Sequence, residues 1–82
     1  LEGETYDKSL FEKLRTLRMA ESKRLHVPPY VVFGDKALIQ MAKYLPKTQN
    51  EFLEIHGVGQ QKLTQFGKQF LAVIQQHQNS KI

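Results

Sequence analysis

The chain has 82 residues, no cysteine, and 12 Lys and Arg against 8 Asp and Glu, for a formal charge of +4. A chain of this length is one domain at most and buries only roughly 60% of the surface its unfolded form exposes, enough for one small core but with little room for a substrate cleft. Disulfides and thiolate metal sites are excluded, the three histidines (His26, His56, His77) lack zinc-ligand spacing, and no apolar run approaches the roughly 18 residues of a membrane span.

The first residue is Leu and no signal peptide is visible, so the chain is expected to be a piece of a longer cytoplasmic protein, with residues 1–5 as a linker end. A first helix is predicted over 8–25, capped by Asp7 or Thr5. Leu10, Phe11, Leu14 and Leu17 recur on one side at helical spacing. Lys8, Arg15, Lys23 and Met19 fall opposite, on the expected solvent face. Arg18 and Glu21 sit near the apolar stripe and are spaced to pair with each other. The segment 8–24 carries Lys8, Lys13, Arg15, Arg18, Lys23 and Arg24 against only Glu12 and Glu21. Such a run is often just a solvated helix face, but it also suits a polyanion.

Val27-Pro28-Pro29-Tyr30-Val31-Val32-Phe33 follows. Val27 and Pro28 each precede a proline, which disfavours helical geometry, and neither proline donates an N–H. An extended segment is therefore expected, burying Val31, Val32 and Phe33 and leaving part of Tyr30 outside. A second main helix is predicted over 36–45, with Asp35 as N-cap, Ala37, Leu38, Met41, Ala42 and Leu45 inward, and Pro46 as its stop. Thr48 and Glu51 have capping-box spacing and open a short helix over 49–54 that buries Phe52, Leu53 and Ile55. His56-Gly57-Val58-Gly59 forms a sharp turn. A last helix over 60–78 turns Leu63, Phe66, Gly67, Phe70, Val73 and Ile74 inward. Gly67 costs about 1 kcal/mol against alanine there, which a closely crossing helix would explain. Gln75 to Gln78 reads as a solvated helix end, and 79–82 as a frayed tail. The expected architecture is an all-α single-domain bundle of four to five helices.

Two places could carry binding. Tyr30 on its stiff lead, with Lys23 and Arg24 before it, Lys36 after it and Arg18 further up the basic run, would present an aromatic face among cations. That chemistry suits single-stranded nucleic acid: a π-face for a base and positive charge for phosphates. The plainer reading makes Tyr30 a core residue with its hydroxyl at the rim. The second place is the turn before the last helix. There Gly57 and Gly59 free backbone amides toward a phosphate and Lys62 adds a charge. A purely structural turn is favoured, because only Lys62 and Lys68 lie nearby and Glu51 and Glu54 offset them. No nucleophile motif, phosphate loop or convergent polar set supports catalysis, and no cofactor is expected.

Tyr6-Asp7, Leu10-Phe11, Leu14-Arg15, Leu17-Arg18, Val27-Pro28-Pro29-Tyr30-Val31-Val32-Phe33, Leu38, Met41-Ala42, Pro46, Gly57-Val58-Gly59, Lys62, Phe66-Gly67, Phe70 and Ile74 together resemble the HRDC (helicase-and-RNase-D C-terminal) domain, most of all the copy at the end of bacterial RecQ DNA helicases. The likeness covers about residues 6–77 and places the domain over 6–78. It implies a small helical bundle linked to a helicase core, acting as an auxiliary module that binds single-stranded or partly single-stranded DNA weakly and tunes the motor's choice of substrate. ATP hydrolysis and strand separation would belong to other domains of a bacterial, nucleoid-associated parent. The tyrosine of the Pro-Pro-Tyr motif, here Tyr30, would belong to the DNA-binding surface. Lys23, Arg24 and Lys36 rest on the spatial argument above. The alternative implied function is a protein-docking module that contacts the helicase core or a partner, motivated here by the Val31–Phe33 run. No membrane partner is expected, and the domain is expected to be a monomer.

Overall fold

In the computed structural model, which describes residues 5–80, the chain folds into five helices with no strand among those residues: α1 (Lys8–Leu25), α2 (Pro29–Val32), α3 (Asp35–Tyr44), α4 (Gln49–Leu53) and α5 (Gln60–Asn79). The all-α bundle expected from periodicity is thus present. Residues 1–4 of the expected linker and 81–82 of the expected tail lie outside the described residues. α1 packs against α2, α3 and α5, and α4 packs against α5.

Asp7 starts α1 by accepting the Leu10 N–H at 3.0 Å, satisfying one of the free donors of the first turn. Leu10 and Leu14 are buried to the last atom, and Phe11 and Leu17 pack at the margin. The other end closes on His26 in the left-handed region (φ 58°). Its N–H reaches the Lys23 carbonyl, and the Val27 N–H reaches that of Ser22 at 3.0 Å. This pair of bonds is the Schellman arrangement that satisfies orphaned helix carbonyls.

The segment after it departs from expectation. Pro28 is extended (φ −62°, ψ 150°), but Pro29 to Val32 make one helical turn. The pre-proline restriction acts only on Val27 and Pro28. Pro29 precedes Tyr30, its locked φ fits the first helical position, and its missing N–H is one that no helix would use there. Helical pitch then divides the turn differently from an extended chain. Val32 and Phe33 are fully buried, whereas Val31 is 43% exposed instead of inward.

Phe33 is the centre of the core. Its ring meets Phe70 at 4.9 Å, Phe66 at 5.8 Å and Phe52 at 5.9 Å between centroids, all edge-on, the geometry aromatic quadrupoles prefer. One side chain between α2 and α3 thereby ties α4 and α5 to the first half of the chain.

α3 begins one residue earlier than expected. Gly34 is its N-cap and Asp35 lies in the first turn. The Asp35 carboxylate is taken by Arg18 Nη1 at 2.7 Å and does not serve as the cap. Ala37, Leu38, Met41 and Ala42 face inward as expected, joined by Ile39. The Thr48 hydroxyl accepts the Glu51 N–H at 3.1 Å, and the Glu51 carboxylate reaches back to the Lys47 N–H at 2.8 Å. This is a capping box displaced by one donor. Gly57 has φ +86°, which only glycine adopts without strain. Gly59 has an ordinary φ of −98° and caps α5 without a side chain. At Gly67 the close neighbour belongs to the same helix: a Cβ there would meet Leu63 Cδ1 at 2.6 Å. The glycine makes room for its own helix's leucine.

The end of α5 is not simply solvated. His77 is 5% exposed. Its Nε2 lies 2.8 Å from Asp7 Oδ2 and its Nδ1 lies 3.0 Å from Lys13 Nζ. An ammonium can only donate, so Nδ1 accepts and the ring N–H on Nε2 faces the carboxylate. The Asp7 N–H also reaches the Ala42 carbonyl at 3.2 Å. Asp7 therefore caps α1 and ties it to both α3 and α5. Helical order continues to Asn79, with Ser80 as its cap.

Candidate nucleic-acid interface

Tyr30 stands on a turn held at both ends. On the N-terminal side, the Val27 N–H is bonded to α1 and two prolines limit the backbone. On the C-terminal side, Phe33 is locked in the core and its carbonyl accepts Arg18 Nη1 at 3.1 Å. Within α2, the Val31 N–H bonds the Pro28 carbonyl and the Phe33 N–H bonds that of Pro29. The Tyr30 ring projects from this frame 71% exposed, with Val31 beside it. It is therefore not a core residue with its hydroxyl at the rim.

The four candidate cations divide into two kinds. Lys23, in the last turn of α1, and Lys36, in the first turn of α3, are exposed, and neither makes an ion pair among the described residues. Arg24 is exposed but grips Glu21, with Nη2 at 2.6 Å and Nε at 3.1 Å from the same oxygen. The hydrogen bonds it donates to Glu21 and the negative charge of that carboxylate hold the Arg24 guanidinium above its ordinary pKa. Glu21 is itself buried, so Arg24 is the counter-charge that makes that burial tolerable. The pairing of Arg18 with Glu21 expected from their three-residue spacing does not occur, because Arg18 turns instead to α3.

Arg18 is placed differently from the other candidates. Its side chain is 11% exposed, and its Nη1 is shared between the Phe33 carbonyl and Asp35. Its Nε is buried with no partner. It acts as a clamp across the α2–α3 joint, holding the Phe33 carbonyl and the Asp35 carboxylate together. The sequence held a faint signal of this, since Arg18 lies at the edge of the apolar stripe of α1.

Gly57 and Gly59 are exposed, but Lys62 is half-buried, with Nζ 5.6 Å from the centroid of Phe33. That ammonium rests over the edge of the aromatic core. Sequence reasoning also missed His77, although it continues the stripe Leu63, Phe66, Phe70, Ile74 at helical spacing. Among the described residues, no group of three or more His, Asp or Glu side chains could hold a metal ion, and no helix is long and apolar enough to cross a membrane.

Comparison with known proteins gives the family. The HRDC domain family matches residues 7–74. The chain is 49% identical over 72 residues to the ATP-dependent DNA helicase RecQ of Haemophilus influenzae, covering 88% of this chain and 12% of that protein. It is 46% identical over 72 residues to RecQ of Pasteurella multocida, covering 88% and 11%. It is 42% identical over 71 residues to RecQ of Bacillus subtilis, covering 87% and 12%. The chain thus spans about a tenth of the length of the curated relatives it matches. A bundle whose Pro-Pro-Tyr turn, Phe33 hub and glycine hairpin all fall inside one matched stretch leaves a single assignment: the chain belongs to the HRDC domain family.

Proposed function

We propose that this domain is the auxiliary nucleic-acid-binding module of a RecQ-type, ATP-dependent DNA helicase acting on nucleoid DNA in a bacterial cytoplasm. It binds single-stranded or partly single-stranded DNA weakly and so tunes which substrates the motor engages. The observation that carries this reading is the Tyr30 ring, 71% exposed on a turn fixed at both ends. A large aromatic is normally drawn inward. Here the frame is rigid and the ring is outside it, so a base can stack on it with little ordering cost. Lys23 and Lys36 supply charge for flanking phosphates, and Arg24 can share its outer N–H groups while paired to Glu21. Nothing around the ring reads base edges, so little sequence preference is expected.

Fluorescence anisotropy with a labelled oligothymidine at low salt tests this. Stacking is worth about 1–3 kcal/mol per base, so Tyr30→Ala should weaken binding roughly fivefold or more, while Tyr30→Phe retains most of it. A folded Tyr30→Ala variant that binds as tightly as the wild type would remove Tyr30 from the interface.

A further inference from the structure

We propose that the cleft between α3 and α4 is a docking site for an arginine-bearing segment of a protein partner, separate from the nucleic-acid interface. The cleft has a volume of about 470 Å³ and is lined by Gln40, Tyr44, Pro46, Glu51, Glu54 and Ile55. Its floor is apolar: Pro46 is buried and Ile55 is 5% exposed. One wall is Tyr44, 62% exposed and outside the core cluster. The Gln40 side-chain oxygen accepts the His56 N–H at 2.9 Å, which fixes that amide in place. The rim is acidic. Glu51 commits one oxygen to the Lys47 N–H, and the Glu54 carboxylate makes no hydrogen bond or ion pair among the described residues.

These features together select an occupant. An apolar floor beside an exposed ring suits an aliphatic stem. A tyrosine face next to a carboxylate suits a planar cation that stacks on one and donates a fork of N–H groups to the other. Arginine carries both parts. The ring already attracts a cation, since Lys43 Nζ sits 5.3 Å from its centroid. A nucleic-acid backbone would bring phosphates against Glu51 and Glu54. A purely apolar partner would strip water from the Glu54 carboxylate and return no bond. Tyr44 ends α3 and Lys36 lies in its first turn, about 12 Å away along the axis at 1.5 Å per residue, so both surfaces can be occupied at once.

The test is a 15N NMR titration of the 82-residue chain with the blocked peptide Gly-Leu-Arg-Leu-Gly, and with the same peptide carrying citrulline in place of arginine. Saturable shifts are expected at Gln40, Tyr44, Glu54 and Ile55 with the arginine peptide, and much weaker ones with citrulline. Glu54→Gln and Tyr44→Ala should each weaken the arginine peptide by about threefold or more, and prior saturation with oligothymidine should leave its affinity unchanged. Shifts that do not saturate, or equal binding of the citrulline peptide, would overturn the proposal. Oligothymidine moving the cleft resonances itself would reassign the cleft to nucleic acid.

Discussion

Arg18 separates a clamp from a contact, and its removal has a calculable outcome. Losing the guanidinium forfeits a charged hydrogen bond to the Phe33 carbonyl, worth about 1.5–3 kcal/mol. It also forfeits the Asp35 pair, which solvent screens because that carboxylate is 73% exposed and which is worth about 0.2–1 kcal/mol. Against these losses, the Nε donor is already buried without a partner, a penalty of about 1–3 kcal/mol that disappears with it. Arg18→Met keeps most of the apolar stem, so its net cost should be about 1 kcal/mol, or roughly 4–8 °C in Tm for a domain of this size. Arg18→Ala also discards two or three buried methylenes at about 0.8 kcal/mol each, for a total near 3 kcal/mol. Thermal melts followed by circular dichroism would show the order wild type, Met, Ala. The same variants decide whether Arg18 meets DNA. If Lys23 and Lys36 each neutralise one phosphate, log affinity should fall against log salt with a slope of about −1.4, or about sevenfold between 50 and 200 mM. Lys23→Ala should flatten that slope by about 0.7, while Arg18→Met should leave it unchanged. A folded Arg18→Met variant whose slope flattens as much as that of Lys23→Ala would refute the clamp assignment.

Two further outcomes concern the frame. His77→Ala removes a buried ring and both of its bonds, to Asp7 and Lys13, and should cost about 2–4 kcal/mol in chemical denaturation; a loss below about 0.5 kcal/mol would mean that this tie between the chain ends carries no weight. Gly57→Ala forces a side chain into φ +86° and should cost about 1–2 kcal/mol, whereas Gly59→Ala, with ordinary φ and open space around its Cβ, should cost less than about 1 kcal/mol. Equal effects at the two glycines would show that backbone strain is not what separates them.

Local patterns in the chain are enough for α1, α3, α4 and α5. Asp7 capping the 8–25 periodicity, the Thr48–Glu51 box, Pro46 as a stop and the glycine hairpin before α5 each depend on neighbours within about four residues, the range over which helix start and stop signals act. The exposure of Met19 and part of Tyr30 was likewise readable from period and proline chemistry. The segment after Pro28 is helical rather than extended because proline restricts only the residue before it, and Pro29 to Val32 precede no proline. Val31 therefore lies on the outside.

The candidate site was legible only as composition. Lys23, Arg24, Lys36 and Arg18 are alike as letters, and their charges add equally to a basic run. Only the folded chain separates them: Arg24 is matched to a buried Glu21, Arg18 is spent on Phe33 and Asp35, and Lys23 and Lys36 are left facing water. Those partners lie on different helices or depend on which carboxylate is buried, and a one-dimensional pattern holds neither fact. His77 meeting Asp7 across most of the chain is the same case. Hydrophobic period and capping chemistry are near-neighbour properties and are written in the sequence. Which charge is neutralised, and which ring is left outside, depends on contacts between distant residues that exist only once the core around Phe33 has closed.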